Sequence, residues 1–448
     1  MTFDAEITSV AFGGKGIARV AGKVWFVKGT VPGDVVRVRP LETKEHFGEG
    51  EVDLFLTRSP LRSEKPPCPV FGQCGGCQWQ DIPYETQLVW KKSFLADSLQ
   101  RVGKIKVDEL TIEASPQRWN YRSRVLVRVH VDQAGAVSMG FFKGETRELV
   151  AIKKCDLASP SLNTFLGFVA DLKLPENRGE SFRLEIQEIQ TDVPQNLWVT
   201  VFPTKGKTQN LKALLERVKN HPKVSWAGRV FELETAMPQV FESDLGIDFV
   251  ATPGQFQQVN VPHNRNLRRH VLSYAQSQGW KRILDVFCGS GNLSLPLATG
   301  SDYVAGVELN PKSIKNAQAS AAKNELVNTH WAAHDAVAYL NQLAQQKKER
   351  GGAQPGAAGL GAPLDVSLEF DAILLDPPRE GFFKGLSSLI ALNPKAILYV
   401  SCDPVTLARD IGWLTKNGYR IEKIICLDFF PNTYHVESLA FLQRKTSL

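Results

Sequence analysis

Short apolar runs separated by glycine turns fill the beginning of the chain. Runs and turns alternate in the order EITSVAF, GGKG, IARV, AG, KVWFV, VPGD and VVRVRP. Many short strands with turn signals between them are typical of a small β-barrel. We therefore predict an OB-like barrel over residues 1–60.

The middle of the chain combines two patterns. Segments such as RVLVRVHVDQAGAVSMGFF and FRLEIQEIQ predict hairpin strands, and short helical patches lie between them. This mixture indicates an α+β domain over residues 61–250.

The rest of the chain alternates buried-looking strands with helices. The predicted strands are RILDVF, YVAGVE, FDAILLD and AILYVS, and the predicted helices are PKSIKNAQASAAKNE and PVTLARDIGWLTKNG. This alternation predicts a doubly wound, Rossmann-like parallel sheet over residues 251–448. Residues 345–363 break the pattern, and their Gly, Ala and Pro content predicts a flexible, disordered surface loop.

The overall composition is that of a globular protein with several domains. Of 448 residues, 43% are hydrophobic and 22% are charged, which excludes a disordered chain and a single small module. No apolar run approaches the ~18 residues of a membrane span, and Asp4 and Glu6 interrupt any signal-peptide pattern. We therefore expect a cytoplasmic protein without membrane contact. The net charge of +6 permits a polyanionic partner without requiring one.

Residues 283–292, ILDVFCGSGN, predict a strand that runs into a glycine-rich turn, and a helix is predicted directly after them. Glycines let a ligand approach the backbone, but Ser294 stands where a dinucleotide fingerprint has its third glycine. A cofactor without a diphosphate therefore fits better. Glu308 ends the next strand, where a carboxylate can bind both hydroxyls of a ribose, as in S-adenosylmethionine sites. Asp335, after the following strand, is placed either to bind adenine or to cap a helix.

The residues Asp376-Pro377-Pro378-Arg379 follow the strand FDAILL, at the edge where open α/β sheets bind ligands. The two prolines stiffen the turn, so we expect a rigid loop that faces the cofactor. An enzyme that methylates amino groups is expected to place an aromatic ring after the prolines. Arg379 occupies that position, which disfavours such an enzyme.

Cys402 ends the next strand, in YVSCDP, on the same edge as Asp376. It is either a small core residue or a nucleophile. The chemical reason for a nucleophile is that C5 of a pyrimidine attacks a sulfonium methyl group only after a thiolate has added to C6. The C5 proton must then be removed. Glu437, in HVESL, is the candidate base, and a solvated strand-end glutamate is the alternative reading.

The thiol must ionise near neutral pH for this role, which calls for an electropositive setting. We expect Arg379 or Arg409, with the helix N-terminus at Pro404, to contribute to it. Cys288 and Cys426 lie in apolar, strand-like segments and are expected to be structural.

Three more thiols stand close together in CPVFGQCGGC, at Cys68, Cys74 and Cys77, with glycines that let the backbone fold around an ion or a cluster. An odd total of seven cysteines in such a chain favours metal binding or catalysis over disulfides. Cys155 is the remaining cysteine outside the nucleotide domain and is the expected fourth ligand. Four thiolates hold zinc or an iron–sulfur cluster, and the C-x5-C-x2-C spacing disfavours a radical role.

Together these segments resemble the RNA 5-methyluridine methyltransferases, specifically the 23S ribosomal RNA (uracil-5-)-methyltransferase group with a TRAM barrel and an iron–sulfur cluster. The motifs that carry the resemblance span nearly the whole chain: FGGKGIARV, VPGDVV, CPVFGQCGGCQWQ, FQQVN, DVFCGSGN, DPPREG, SCDP and HVESLAFL.

The resemblance implies roles for individual residues. It makes Cys402 the nucleophile and Glu437 the base. The implied ligands of a [4Fe–4S] cluster are Cys68, Cys74, Cys77 and Cys155. The implied contacts to S-adenosylmethionine are Gln258, Phe287, Asn292, Glu308, Asp335 and Asp376. It also implies that residues 86–115 pack with the C-terminal domain.

Two features depart from the family pattern. Asp403 follows the nucleophile where the family commonly has asparagine, and an ionised Asp403 would oppose thiolate formation. Residues 351–363 look like an insertion.

Residues 118–128, RWNYRSRVLVR, interleave four arginines with two aromatic rings. This mixture suits phosphate contacts and base stacking, or else it is an amphipathic strand face. We expect a monomeric, S-adenosylmethionine-dependent uridine C5-methyltransferase that acts on 23S ribosomal RNA. The alternatives are a transfer-RNA methyltransferase with the same chemistry and a non-catalytic RNA-binding assembly factor that keeps the fold.

Overall fold

A computed structural model describes residues 2–107, 109–144, 146–191, 193–204, 211–350 and 369–445. Its N-terminal part is one six-stranded sheet. The strands are β1 (Phe3–Glu6), β2 (Ser9–Val10), β3 (Gly16–Val20), β4 (Lys23–Lys28), β5 (Val35–Thr43) and β6 (Phe47–Thr57). They follow the order β1-β5-β6-β4-β3-β2, and β1 also contacts β3, so the sheet curls back on itself.

A helical segment connects the first sheet to the second. It consists of α1 (Tyr84–Ser98), one π-helical turn (Leu99–Gly103) and the short strand β7 (Thr111–Glu113). Lys91 of α1 is fully buried, and its ammonium donates to the Asp428 carboxylate at 2.5 Å. Because removing either partner would leave a buried charge, this pair ties α1 firmly to the residue that follows strand Tyr419–Leu427.

The middle of the chain forms a six-stranded sheet with two helices packed on one face. The strands are β8 (Arg124–Val131), β9 (Val137–Phe142), β10 (Leu149–Ala151), β11 (Ser181–Glu188), β12 (Leu197–Phe202) and β13 (Val224–Arg229), and the helices are α2 (Pro160–Ala170) and α3 (Lys212–Lys219). The strand order is β10-β9-β8-β11-β12-β13, antiparallel except for the pair β12–β13. Alternate residues of β8, such as Val127 and Val129, are buried under the helices, as expected for a sheet with one covered face.

The C-terminal part begins with a hairpin and continues as alternating strands and helices. The hairpin is β14 (Gln239–Asp244) and β15 (Ile247–Ala251). The helices are α4 (Val261–Ser277), α5 (Ser294–Ala298), α6 (Pro311–Lys323), α7 (Ala336–Arg350), α8 (Leu386–Ala391) and α9 (Pro404–Lys416). The strands are β16 (Arg282–Asp285), β17 (Tyr303–Glu308), β18 (Thr329–Ala333), β19 (Ala372–Leu375), β20 (Ala396–Ser401), β21 (Tyr419–Leu427) and β22 (Glu437–Arg444).

The strands from β16 to β22, together with β7, form an eight-stranded sheet in the order β18-β17-β16-β19-β20-β22-β21-β7. The strands from β18 to β20 are parallel, and β22 is inserted antiparallel to both of its neighbours. Neighbouring residues such as Ile397 and Leu398 are buried in separate clusters on opposite faces. Both faces are therefore covered, as the prediction of a doubly wound sheet requires.

Two sequence predictions need correction. The expected loop at 345–363 is wrong for its first residues, because α7 continues through Arg350, and residues 351–363 lie outside the described part of the chain. The domain boundary drawn at residue 250 falls inside β15, which packs on α6. Within the described residues, no helix is both long and apolar enough to cross a membrane.

Candidate active site

The register of neighbouring strands brings Cys402 and Glu437 to the same point of the sheet edge. Ser401, the last residue of β20, pairs with Ser438 of β22 in an antiparallel ladder. Cys402 follows the first of these residues and Glu437 precedes the second, so the two lie opposite each other one step beyond that pair. Asp376 comes directly after β19, whose last residue is in register with Tyr399. Three predicted site residues from three strands thus meet at one edge.

The helix that follows Cys402 holds the loop that follows Asp376. Asp410 of α9 is fully buried, and its carboxylate accepts from the Phe382 amide at 2.6 Å and from the Tyr399 hydroxyl at 2.7 Å. Since a buried carboxylate is costly without partners, these bonds fix the end of the loop against the helix.

Two further side chains of α9 bind the same loop closer to the site. The Thr406 hydroxyl donates to the Arg379 carbonyl at 3.0 Å, and the Arg409 guanidinium donates to the Glu380 carbonyl at 2.8 Å. Arg409 also pairs with Asp410. Of the two arginines expected to favour the thiolate, Arg379 does so, because its cation opposes the rise in the pKa of the Cys402 thiol.

The setting of Cys402 disfavours its ionisation in the free protein. Burial, and then the charge of Glu437, raise the pKa of the Cys402 thiol to about 11, and the Arg379 cation opposes the shift. The Asp403 carboxylate also raises the pKa of the Cys402 thiol, but less than Glu437 does. That carboxylate also caps α9, accepting from the amides of Val405 and Thr406 at 2.9 Å each. An asparagine at this position could form the same cap without the charge.

Carboxyl groups crowd the edge beside the thiol. Burial, followed by the charge of Asp285, raises the pKa of Asp376 to about 7. Burial raises the pKa of Asp285 to about 6, although its side chain accepts from the Ser294 hydroxyl at 2.6 Å. Glu437 is 8% exposed, and burial together with Asp376 raises its pKa well above the ordinary value. With pKa values of about 7 and about 6, Asp376 and Asp285 can both hold and accept protons near neutral pH.

The structure also places the other predicted cofactor residues. Phe287, after β16, packs edge to face on Phe382 with ring centroids 5.2 Å apart. Glu308, at the end of β17, accepts from the Asn310 amide at 2.8 Å. Gln258 is partly buried in the loop before α4. Phe287 and Glu308 follow the neighbouring strands β16 and β17, at the edge where a cofactor would lie, whereas Gln258 lies between β15 and α4.

Asn292 and Asp335, which were also predicted to contact the cofactor, make hydrogen bonds within the protein. The Asn292 amide exchanges hydrogen bonds with Asn264 at 3.0 Å and accepts from Arg268 at 2.9 Å, so it anchors the glycine turn to α4. Asp335 is exposed and accepts from the Ala338 amide at 2.8 Å. It therefore caps α7, and its contact to adenine stays a prediction.

Sequence reasoning missed Asp285 and Asp410 as parts of the site. Asp285 had a usable signal, because it is the last residue of a strand that ends at the ligand-binding edge. Asp410 had none, since its partners come from a loop and a strand that only the tertiary fold brings to α9.

The four cysteines predicted to bind metal line one cavity of about 450 Å³ between residues 68–80 and residues 122–157 of the middle domain. The cysteines are Cys68, Cys74, Cys77 and Cys155. Burial raises the pKa of Cys77 to about 12, and the thiols of Cys155 and Cys74 add to that shift, so the sulfur atoms are near neighbours. Among the described residues, however, no group of three cysteine, histidine or acidic side chains is arranged to hold a single metal ion.

Comparisons with known proteins agree with this architecture. A family model described as tRNA (uracil-5-)-methyltransferase matches residues 83–445, and a TRAM-domain model matches residues 1–52. The 23S rRNA (uracil(1939)-C(5))-methyltransferase of Pseudomonas aeruginosa strain UCBPP-PA14 is 31% identical over 98% of this chain and 93% of its own length. An uncharacterized RNA methyltransferase of Aquifex aeolicus is 29% identical over 98% of both chains.

The fold is similar to that of a solved structure as well. The crystal structure of Pyrococcus abyssi tRNA (uracil-54, C5)-methyltransferase in complex with S-adenosyl-L-homocysteine superimposes with a TM-score of 0.66 and 21% identity, covering 98% of this chain and 100% of that one. These matches confirm the predicted TRAM domain and the Rossmann-like methyltransferase fold.

The raised pKa of Cys402 predicts how fast this thiol reacts in the free protein. Alkylation by iodoacetamide should accelerate about tenfold per pH unit between pH 7 and 10, because only the thiolate reacts. Arg379→Ala should slow the reaction at a fixed pH, since it removes the cation that favours the thiolate. Lys384→Ala, an exposed side chain nearby in the sequence, is the matched control and should change nothing. Mass spectrometry of the Cys402 peptide measures the rate, and a plateau below pH 8 would contradict the account.

Proposed function

The chain belongs to the tRNA (uracil-5-)-methyltransferase family, and from this premise we propose that it transfers a methyl group from S-adenosylmethionine to C5 of a uridine in 23S ribosomal RNA. The observation that carries the proposal is the juxtaposition of Cys402 and Glu437 across the Ser401–Ser438 pair. The choice of 23S RNA rests on the names of relatives that align along nearly the whole chain. The transfer-RNA alternative rests on the name of the family model.

The proposed reaction needs both residues because uracil C5 is a weak nucleophile. The Cys402 thiolate adds to C6, and the electron pair of the C5–C6 double bond moves into the enolate. C5 then attacks the methyl group of the sulfonium, and S-adenosylhomocysteine leaves. Glu437 takes the proton from C5, the C5–C6 double bond re-forms, and the thiolate leaves C6. Covalent catalysis thus replaces one difficult substitution by several easier steps.

Electrostatics favour a cationic substrate at this edge. Asp376 and Glu437 lie close to the thiol and disfavour its ionisation, and Arg379 is the cation that offsets them. A sulfonium bound beside these groups would add a second positive charge and lower the pKa of the Cys402 thiol. Once the sulfonium has lowered the thiol pKa toward the value of about 7 for Asp376, the thiol proton can pass to the Asp376 carboxylate. In this proposal the site becomes reactive only after the methyl donor binds.

We also propose that Cys68, Cys74, Cys77 and Cys155 bind a [4Fe–4S] cluster with a structural role. The four thiols line one cavity, which supports a common ligand. The choice of a cluster over zinc rests on the resemblance to the methyltransferase group that carries one, since four thiolates can hold either. When bound, the cluster would supply the charge compensation that buried thiolates require.

The proposed role of Glu437 predicts a trapped intermediate. Glu437→Gln keeps the size and polarity of the side chain but cannot accept the C5 proton, so methyl transfer should proceed and elimination should stall. Incubation with 23S RNA and S-adenosylmethionine should then give a protein–RNA species that survives denaturation on a gel. The double variant Glu437→Gln, Cys402→Ala is the control and should give none. Release of methylated RNA at the parent rate by the single variant would exclude Glu437 as the base.

The proposed cluster predicts the metal content of the protein. Anaerobically purified protein should contain about four irons per chain and absorb broadly near 400 nm. Cys77→Ser should lose the iron, whereas Cys402→Ser, which changes a thiol outside the cavity, should keep it. Stoichiometric zinc without iron, measured by elemental analysis, would refute the cluster.

A further inference from the structure

The connection between β21 and β22 leads directly into Glu437 and is buried along most of its length. This segment, residues 428–436, includes Asp428 and Asn432 at 0% exposure and Thr433 at 2%. A loop of this kind is normally at the surface, because its backbone polar groups need partners. Here the partners come from three distant parts of the chain.

Asn432 lies at the centre of these contacts. Its carbonyl accepts from the amides of Gln78 and Trp79 at 3.0 and 3.1 Å, just beyond the cysteine Cys77. Its backbone amide donates to the Gln87 side chain of α1 at 2.8 Å. Its side chain accepts from the Arg118 guanidinium at 3.1 Å and donates to the Arg118 carbonyl at 3.2 Å.

The backbone of Asn432 is in the left-handed region, with φ of +66°. Asparagine and glycine adopt this conformation at little cost, whereas most other residues do not. A glycine here would therefore preserve the path of the backbone and remove only the side-chain contacts. The position thus allows a clean test of what those contacts do.

Contacts on either side of Asn432 hold the rest of the segment. The Lys91 ammonium donates to the Phe430 carbonyl at 2.9 Å as well as to Asp428. The Tyr434 ring packs edge to face on Phe12 of the first domain, with centroids 6.1 Å apart. The segment is therefore fixed from the first domain, the cysteine region and α1 at once.

We propose that Asn432, whose side chain joins Arg118 to the buried segment that leads into the base, is a positioning residue for Glu437. The proposal rests on the proposed function, because it requires Glu437 to remove the C5 proton. Asn432 itself lies in the buried connection and acts through the backbone of the segment. Displacing a base by about 1 Å can slow its step up to a hundredfold. Loss of the contacts between the Asn432 side chain and Arg118 should therefore slow elimination and leave methyl transfer and methyl-donor binding intact.

The test compares Asn432→Gly with Asn393→Gly. Asn393 also has a left-handed backbone, with φ of +57°, but is exposed in the turn before β20. Asn432→Gly should lower kcat about ten- to hundredfold, leave the Kd for S-adenosylmethionine unchanged, and accumulate the denaturation-stable protein–RNA species. The first turnover should still transfer tritium from labelled donor to RNA at nearly the parent rate. Asn393→Gly should behave like the parent, and Asn432→Asp, which keeps the bond from Arg118, should show a smaller effect of the same kind.

Two results would overturn the proposal. One is parent-like turnover of Asn432→Gly without trapped species. The other is a parallel loss of turnover and donor affinity without trapped species, which indicates a general structural role. If the glycine variant does not fold, Asn432→Asp decides by the same criteria.

Glu437→Gln, assayed in parallel, separates the assignment of Glu437 as the base from the positioning role of Asn432. If it traps the adduct and the Asn432 variants do not, only the positioning role fails. If it traps nothing, the assignment of the base fails and the positioning role fails with it.

Discussion

The antiparallel register between β20 and β22 is the constraint on which the candidate site depends. Ser401 faces Ser438 in this ladder, so Cys402 and Glu437 are neighbours by construction. A slip of one residue would turn every side chain of β22 to the other face of the sheet. A slip would exchange residues of unequal size, such as Leu439 and Ala440, between the two close-packed cores, and the resulting poor packing opposes it. The packing of the core thereby sets the geometry of the chemistry.

The same edge collects acidic side chains in a poorly hydrated place. Asp285, Asp376 and Glu437 all have pKa values raised by burial, and each acid makes ionisation of its neighbour harder. Such crowding is unfavourable for stability, and perturbed acids of this kind are typical of functional sites. Arg379 offsets part of it, because α9 holds the backbone of its loop through Thr406. A cationic methyl donor would complete the compensation.

Much of this could be predicted from the sequence wherever periodicity was strong. The runs YVAGVE and AILYVS are β17 and β20, and the carboxyl-edge rule placed Asp376 and Cys402 together. No sequence pattern predicted the contacts between distant segments. Three residues of β7 join the C-terminal sheet, and Asn432 meets Gln87 across 345 positions. Periodicity also did not show whether Asp335 caps a helix, because both a capping and a ligand-binding aspartate can follow a strand.

A 23S RNA fragment transcribed with 5-fluorouridine tests the central claim most directly, because a base cannot remove fluorine from C5 after methyl transfer. The unmodified protein with S-adenosylmethionine should form a covalent complex. Its mass should equal protein plus RNA plus one methyl group, and peptide mapping should place the attachment at Cys402. Methylated RNA without a covalent complex, or attachment at any other residue, would contradict nucleophilic catalysis by this cysteine.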